Sequence, residues 1–158
     1  MRTVYDTYHT GWKVGRVQWD GDLLYAQGQW REKENIDKRV LELWRNILGE
    51  KYPEAIRSMA NLATTYHSQG RHTEAEQLKD QALNLRREVL GEKHPDTIRS
   101  MAHLGVTYHS QGRYDKAEVL RKSALDLRRQ ILGENHPHTT QSVMYLASTQ
   151  ESLQRIRV

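Results

Sequence analysis

Eight histidines are the first residues of this 158-residue chain that could do chemistry. Neutral imidazole is the commonest metal ligand and the usual general base near pH 7. Their placement argues against both roles. His67 and His109 fall in one repeated phrase, Thr-Tyr-His-Ser-Gln-Gly-Arg, and His94 and His136 fall in another, Leu-Gly-Glu-x-His-Pro. Copying of a segment accounts for their recurrence. His136-Pro137-His138 has no cysteine near it, because the chain contains none. That removes thiolate nucleophiles, disulfides and Cys-ligated zinc. Asp20-Gly21-Asp22 has the first letters of a calcium loop without the terminal Glu. Gly11 to Gly15 lacks the spacing and the Lys-Ser/Thr of a phosphate loop, and neither Gly-x-Ser-x-Gly nor His-Glu-x-x-His occurs. The expectation is a non-enzyme with no catalytic residues, no metal site and no cofactor.

Tyr5, Tyr8, Trp12, Trp19, Tyr25 and Trp30, interleaved with Lys13, Arg16 and Arg31, form an aromatic-basic cluster. It reads either as a base-stacking or docking patch or as a worn leading helix packed on Ile36 and Val40. The second reading is preferred, because the end of a stack needs a cover. The net charge of +4 and pI near 9.4 suit an acidic partner. The 24 Lys and Arg are dispersed among 20 Asp and Glu, which argues against nucleic acid. The alternative function is nonetheless a helical-repeat nucleic-acid binder using the basic surface and the N-terminal aromatics.

The elements that would position these residues come from a repeat. Leu48-Gly49-Glu50-Lys51-Tyr52-Pro53 returns at Leu90 and at Leu132, 42 residues apart each time. Between 54–95 and 96–137, 26 of 42 positions are identical, enough to make each segment one copied structural unit. Met59, Leu62, Ala63 and Tyr66 follow i, i+3, i+4, i+7 spacing, one face of a first helix that Gly70 ends. Ala75, Leu78, Ala82, Leu85 and Val89 form the stripe of a second helix, widened by Leu83 and Leu90 and stopped by Gly91. Pro95 then opens the next first helix. Backwards, the second-helix stripe falls on Ile36, Val40, Leu43 and Ile47, with Lys33 in the place of Ala75, so this copy reads as worn. Asp20 falls in a core slot of a worn first helix. Forwards, Thr139 to Leu153 supplies a first helix with Val143, Leu146, Ala147 and Gln150 at its core slots. The organisation is thus 1–27 degenerate, 28–53 a second helix and connector, 54–95 and 96–137 full units, and 138–158 a trailing first helix.

In order, Met59, Leu62-Ala63, Tyr66, Gly70, Ala75 and Ala82 resemble the tetratricopeptide repeat pattern, as do Met101, Leu104-Gly105, Tyr108, Gly112, Ala117 and Ala124. The 42-residue period and the connector are similar to the kinesin light chain type, and to arrays in fungal NB-ARC-type signalling proteins. The resemblance implies an all-α fold: an antiparallel helix-pair solenoid forming a right-handed superhelix. It also implies a protein-interaction scaffold, adaptor or sensor that takes a peptide or protein in a concave groove lined by first helices. With Met59, Leu62 and Tyr66 inward, the groove residues are Arg57, Asn61, Thr64 and Ser68, then Arg99, His103, Val106 and Ser110, then Gln141, Tyr145 and Ser148, with Ser152 one turn on. The change from Asn61 to His103 to Tyr145 at one repeat position, among neighbours that repeat, is what a recognition surface shows. Arg57 and Arg99 share one phase and are placed to meet an acidic partner. Ala60, Thr64, Ala102 and Val106 stand where carboxylate-clamping repeats carry Lys and Asn.

The first twelve residues hold no apolar run of signal-peptide length, and no stretch approaches the length that spans a bilayer. The expectation is a cytoplasmic protein with no membrane contact. Leu146, Leu153 and Ile156 would lack a covering helix. This predicts self-association through the C-terminal helix, another covering element, or a longer array of which this is a piece.

Overall fold

The structure, a computed structural model, describes residues 29–157. The expected leading helix and the aromatics from Tyr5 to Tyr25 lie outside the described residues. Six helices occur among the described residues: α1 (Trp30–Leu48), α2 (Pro53–Ser68), α3 (His72–Leu90), α4 (Pro95–Ser110), α5 (Tyr114–Leu132) and α6 (Pro137–Arg157). The chain divides into two compact units, one ending at Leu78 and the other beginning at Lys79 within α3.

Each helix boundary follows from the repeated connector. Pro53, Pro95 and Pro137 take the first helical turn, where a missing N–H costs nothing. Gly91 and Gly133 hold φ of 85° and 86°, a left-handed conformation that glycine adopts without steric cost. Their N–H groups donate to the carbonyls of Arg87 and Arg129. The connector Glu pairs back to the helix it follows: Glu50 with Arg45 at 2.8 Å and Glu134 with Arg129 at 2.9 Å. The connector histidines have a structural task. His94 Nδ1 accepts from the Asp96 N–H at 3.1 Å and His136 Nδ1 from the His138 N–H at 3.2 Å, each satisfying an orphan donor at a helix start.

In the first unit, α1 packs on α2. Met59, Leu62, Ala63 and Tyr66 are all buried, as their spacing predicts, together with Ala55 and Ile56. The α1 stripe departs from expectation. Val40 is buried, but Leu43 is exposed, and the buried face is Lys33, Asp37, Val40 and Leu41. Lys33 is therefore not wear. Its ammonium meets the Asp37 carboxylate at 2.8 Å.

In the second unit, Leu83, Ile98, Met101, Leu104 and Ala124 form one core, flanked by Tyr108, Leu120 and Leu127. Burying a side chain such as Met101 or Leu104 contributes about 1.5–3 kcal/mol each. On α6 the expected core slots are not core. Val143 is 40% exposed, Leu146 is half-buried, and Ala147 and Gln150 are exposed. Thr139, Ser142, Thr149 and Leu153 are buried instead. The reason is that α6 packs on α5 through that face. Among the described residues no helix covers the 143/147/150 side. α6 also runs through to Arg157, where α2 and α4 stop after 16 residues. Gln154 occupies the position of Gly70 and Gly112, so the left-handed turn is missing.

Candidate functional site

The sequence-predicted residues lie on the open sides of the first helices. On α2, Arg57 and Thr64 are exposed and Asn61 and Ser68 half-buried. On α4, Arg99, His103, Val106 and Ser110 are exposed, and on α6 so are Gln141, Tyr145 and Ser148. Thr64, Ser68 and Ser110 turn their hydroxyls back to carbonyls one turn earlier, at 3.0–3.1 Å. Arg99 is held by Asp96 at 2.7 Å, so part of the charge assigned to an acidic partner is already met. Gln141 and Tyr145 are brought together, the amide donating to the phenol oxygen at 3.3 Å.

Beside these faces runs a polar layer that periodicity does not reveal. Asp37, Lys79 and Arg121 are equivalent repeat positions, and so are Thr65, Thr107 and Thr149. Each charged residue bonds the threonine of the following first helix. Thr65 donates to Asp37 at 2.6 Å, Lys79 donates to Thr107 at 2.7 Å, and Arg121 donates to Thr149. A second layer sits two turns on. Arg86 donates to Ser100 and Arg128 to Ser142, while the equivalent residue in the first unit is Trp44. Arg121 also donates to the Tyr145 carbonyl and lies 5.4 Å from its ring.

The two units differ in net charge at this layer. In the first, Lys33 neutralises Asp37. In the second, the hydrogen-bond and ring partners of Lys79, Arg86, Arg121 and Arg128 among the described residues are hydroxyls, carbonyls and a tyrosine ring, and the Asp96 carboxylate acts on Arg86 only through its charge. Arg86 and Arg121 are 9% and 6% exposed. Burial pushes all four cations below their ordinary values; Asp96 partly offsets this at Arg86. These cations converge on the predicted recognition residues. Burial, then Lys79, Arg99, Arg86 and Arg128, lower the His103 imidazole. The Arg121 guanidinium lies against Tyr145 through its carbonyl and ring. Arg128 of α5 bonds the His138 carbonyl and the Ser142 hydroxyl of α6 and acts on His103 of α4. Sequence reasoning missed the four cations because charged side chains are read as solvated. The available signal was a position always charged, standing 28 residues before an invariant threonine.

Among the described residues no group of three or more His, Asp or Glu is placed to hold a metal ion. His67 and His72 are paired, ring centroids 4.9 Å apart, and the equivalent His109 meets Tyr114 at 5.0 Å, so this is an aromatic edge contact. No described helix is long and apolar enough to cross a membrane.

Comparison with known proteins matches this architecture. No curated protein sequence matches the chain. Among solved structures, it is similar to a kinesin light chain-type protein of Podospora anserina with nearly identical TPR-like repeats, at TM-score 0.81 and 21% identity over 92% of this chain and 69% of that one. It is also similar to BtubC from P. vanneervenii, at TM-score 0.81 and 20% identity over 89% of this chain and 56% of that one. RapI in its apo form aligns at TM-score 0.76 and 19% identity, over 90% of this chain and 50% of that one. The chain therefore spans about half the length of the last two. These similarities establish an all-α helix-pair repeat fold. The tetratricopeptide repeat profile matches residues 21–88 and again 61–130, well over half of the 158 residues. The chain belongs to the tetratricopeptide repeat family.

Proposed function

We propose that this interaction module binds an acidic peptide or protein segment, and that the open faces of α4 and α6 in the second unit carry the recognition. Arg99, His103, Val106 and Ser110 contribute from α4, and Gln141, Tyr145 and Ser148 from α6. Arg57, Asn61, Thr64 and Ser68 are the equivalent surface of the first unit. The observation that supports this reading is the carboxylate-poor layer of Lys79, Arg86, Arg121 and Arg128, bonded to hydroxyls of α4 and α6, the helices that carry His103 and Tyr145. Buried and half-buried cations whose hydrogen-bond partners are neutral leave a positive field that an anionic ligand completes, and such complementarity steers both encounter and register. Exposed Val106 and Tyr145, 39% and 41% accessible, add apolar contact between the charges.

The test is fluorescence anisotropy with a rhodamine-labelled decapeptide of alternating Asp and Ser. Reversal at Arg57 and Arg99 together to Glu weakens binding about tenfold. Reversal at Arg87 and Arg129 costs threefold or less, because those residues lie in the last turns of the second helices α3 and α5 and not on the faces of α2 and α4. Equal losses in the two variants overturn the face assignment. Tighter binding of single-stranded RNA than of the peptide, with a steep salt dependence, overturns the acidic-partner reading in favour of nucleic acid.

A further inference from the structure

His103 breaks the repeat in a way that has chemical content. The equivalent residues are Asn61 and Tyr145, so of the three only His103 carries an imidazole. His103 is exposed on α4, one turn from Ser100 and one turn from Thr107, whose hydroxyls accept from Arg86 and, at 2.7 Å, from Lys79 of α3. Those two cations, Arg99 one turn back on its own helix and Arg128 of α5 all act against a charged imidazole there. On α6, Tyr145 sits against Arg121, and Arg128 bonds the Ser142 hydroxyl one turn earlier. Asp96, the carboxylate that also acts on Arg86, is tied to Arg99 at 2.7 Å. A neutral imidazole is the form this surrounding favours, because a further proton would add like charge to the cluster.

We propose that His103 is the specificity-determining residue of this face, and that it takes up a proton as the acidic segment docks. The inference rests on the acidic-partner reading. A carboxylate arriving among Lys79, Arg86, Arg99 and Arg128 cancels the field that keeps His103 neutral. The imidazole then gains a proton and a second N–H donor, and both strengthen its bond to the incoming carboxylate. Linkage fixes the sign. The bound state holds more protons than the free state, so affinity rises as pH falls. The gain sets in as pH falls through the range in which an imidazole titrates and ends where the ligand's own carboxylates begin to protonate. One proton limits the effect to tenfold per pH unit.

Two other histidines of the second unit, His94 and His136, are occupied as helix caps. His109 is the rival. Burial and Arg121 lower it, and its Nε2 lies 3.4 Å from the Ser152 hydroxyl.

The experiment titrates the full chain with the same rhodamine-labelled Asp-Ser decapeptide at constant ionic strength from pH 5.8 to 8.0. The dissociation constant tightens about three- to tenfold from pH 7.5 to 6.0 in the parent. His103→Asn, which installs the residue found at position 61, loses the slope, whatever its affinity at high pH. His109→Gln retains the slope. A second measurement needs no variant: the NMR titration midpoint of the His103 imidazole moves to higher pH on adding peptide. Binding with a flat pH profile, a slope that survives in His103→Asn, or an unmoved midpoint overturns the proposal while leaving the acidic-partner reading intact. No binding at any pH overturns both.

Discussion

Asp37 in the first unit and Lys79 and Arg121 in the second stand at one repeat position with opposite charges, and each is bonded to the same threonine. The threonine hydroxyl makes this possible, because it carries one proton and two lone pairs. Facing Asp37, Thr65 donates. Facing Lys79 and Arg121, Thr107 and Thr149 accept, and their protons turn back to the carbonyls of His103 and Tyr145 at 3.2 and 3.0 Å. The rest of each layer adjusts to the charge. Asp37 has Lys33 as a buried counter-ion, whereas Lys79 and Arg121 have alanine, Ala75 and Ala117, one turn earlier. One scaffold thus builds a self-neutralised layer and a cationic one. The self-neutralised layer is structural, and the cationic one is the basis of the acidic-partner proposal.

The largest effect comes from breaking the neutral layer. Lys33→Ala leaves the Asp37 carboxylate buried with only Thr65 as donor among the described residues, and a buried charge stripped of its partner costs about 3–5 kcal/mol. Urea denaturation measures this loss. The comparison is sharpened by Lys33→Ala combined with Asp37→Lys, which writes the Ala75/Lys79 pattern into the first unit. Thr65 can then accept from the new lysine and donate back to the Asn61 carbonyl. The double variant returns to within about 1 kcal/mol of the parent. If it is as unstable as Lys33→Ala alone, the two layers are not interchangeable.

A smaller effect separates the units by acid. Burial by itself would raise the Glu34 carboxyl, but hydrogen bonds from Lys38, Gln69 and Arg71 bring it down to about 2. A folded value below the ordinary one means that the unfolded chain binds the proton more readily. The stabilisation is complete above the ordinary value of 4.5 and is lost as pH falls from there toward 2. After solvent screening it amounts to about 1–2 kcal/mol. Hydrogen exchange at pH 3 relative to pH 6, corrected for intrinsic rates, shows α1 and α2 losing more protection than α4 and α5. Glu34→Gln removes most of that difference. Equal losses in both units would show that Glu34 does not set it.

How much of this was legible follows from what a repeat must conserve. Met59, Leu62, Ala63 and Tyr66, with Met101 and Leu104, recur because they pack, so the helices and their inward faces could be read directly. Gly91 and Pro95 recur because backbone geometry requires them. The α6 core slots misled, because periodicity records which face is apolar and not whether another helix covers it. Lys33 looked like wear because its compensating partner is itself charged. Lys79, Arg86, Arg121 and Arg128 were hidden, since a cation bonded to a hydroxyl across two helices looks in sequence like any solvated cation. The variable positions 61, 103 and 145 were legible as differences. The charge around them was not, because it is assembled from residues on α3, α4 and α5.

The smallest effect tests whether Arg121 dictates its neighbours. Gly105 interrupts the interior of α4, where glycine costs about 1 kcal/mol relative to alanine, and the equivalent residues are Ala63 and Ala147. A Cβ at Gly105 would stand 3.1 Å from Arg121 Cγ and 3.7 Å from the Ala117 carbonyl oxygen. An arginine free to swing would yield at little cost, but this one is pinned by bonds to the Tyr145 carbonyl and Thr149. Gly105→Ala alone therefore gains helix propensity and loses it again in displacing Arg121, leaving stability within about 0.5 kcal/mol of the parent. Paired with Arg121→Met, whose flexible apolar side chain can move aside, the same substitution stabilises by up to about 1 kcal/mol. A double-mutant cycle by thermal or urea denaturation reads the difference. Additive effects would mean that glycine stands at 105 for a reason other than the buried cation.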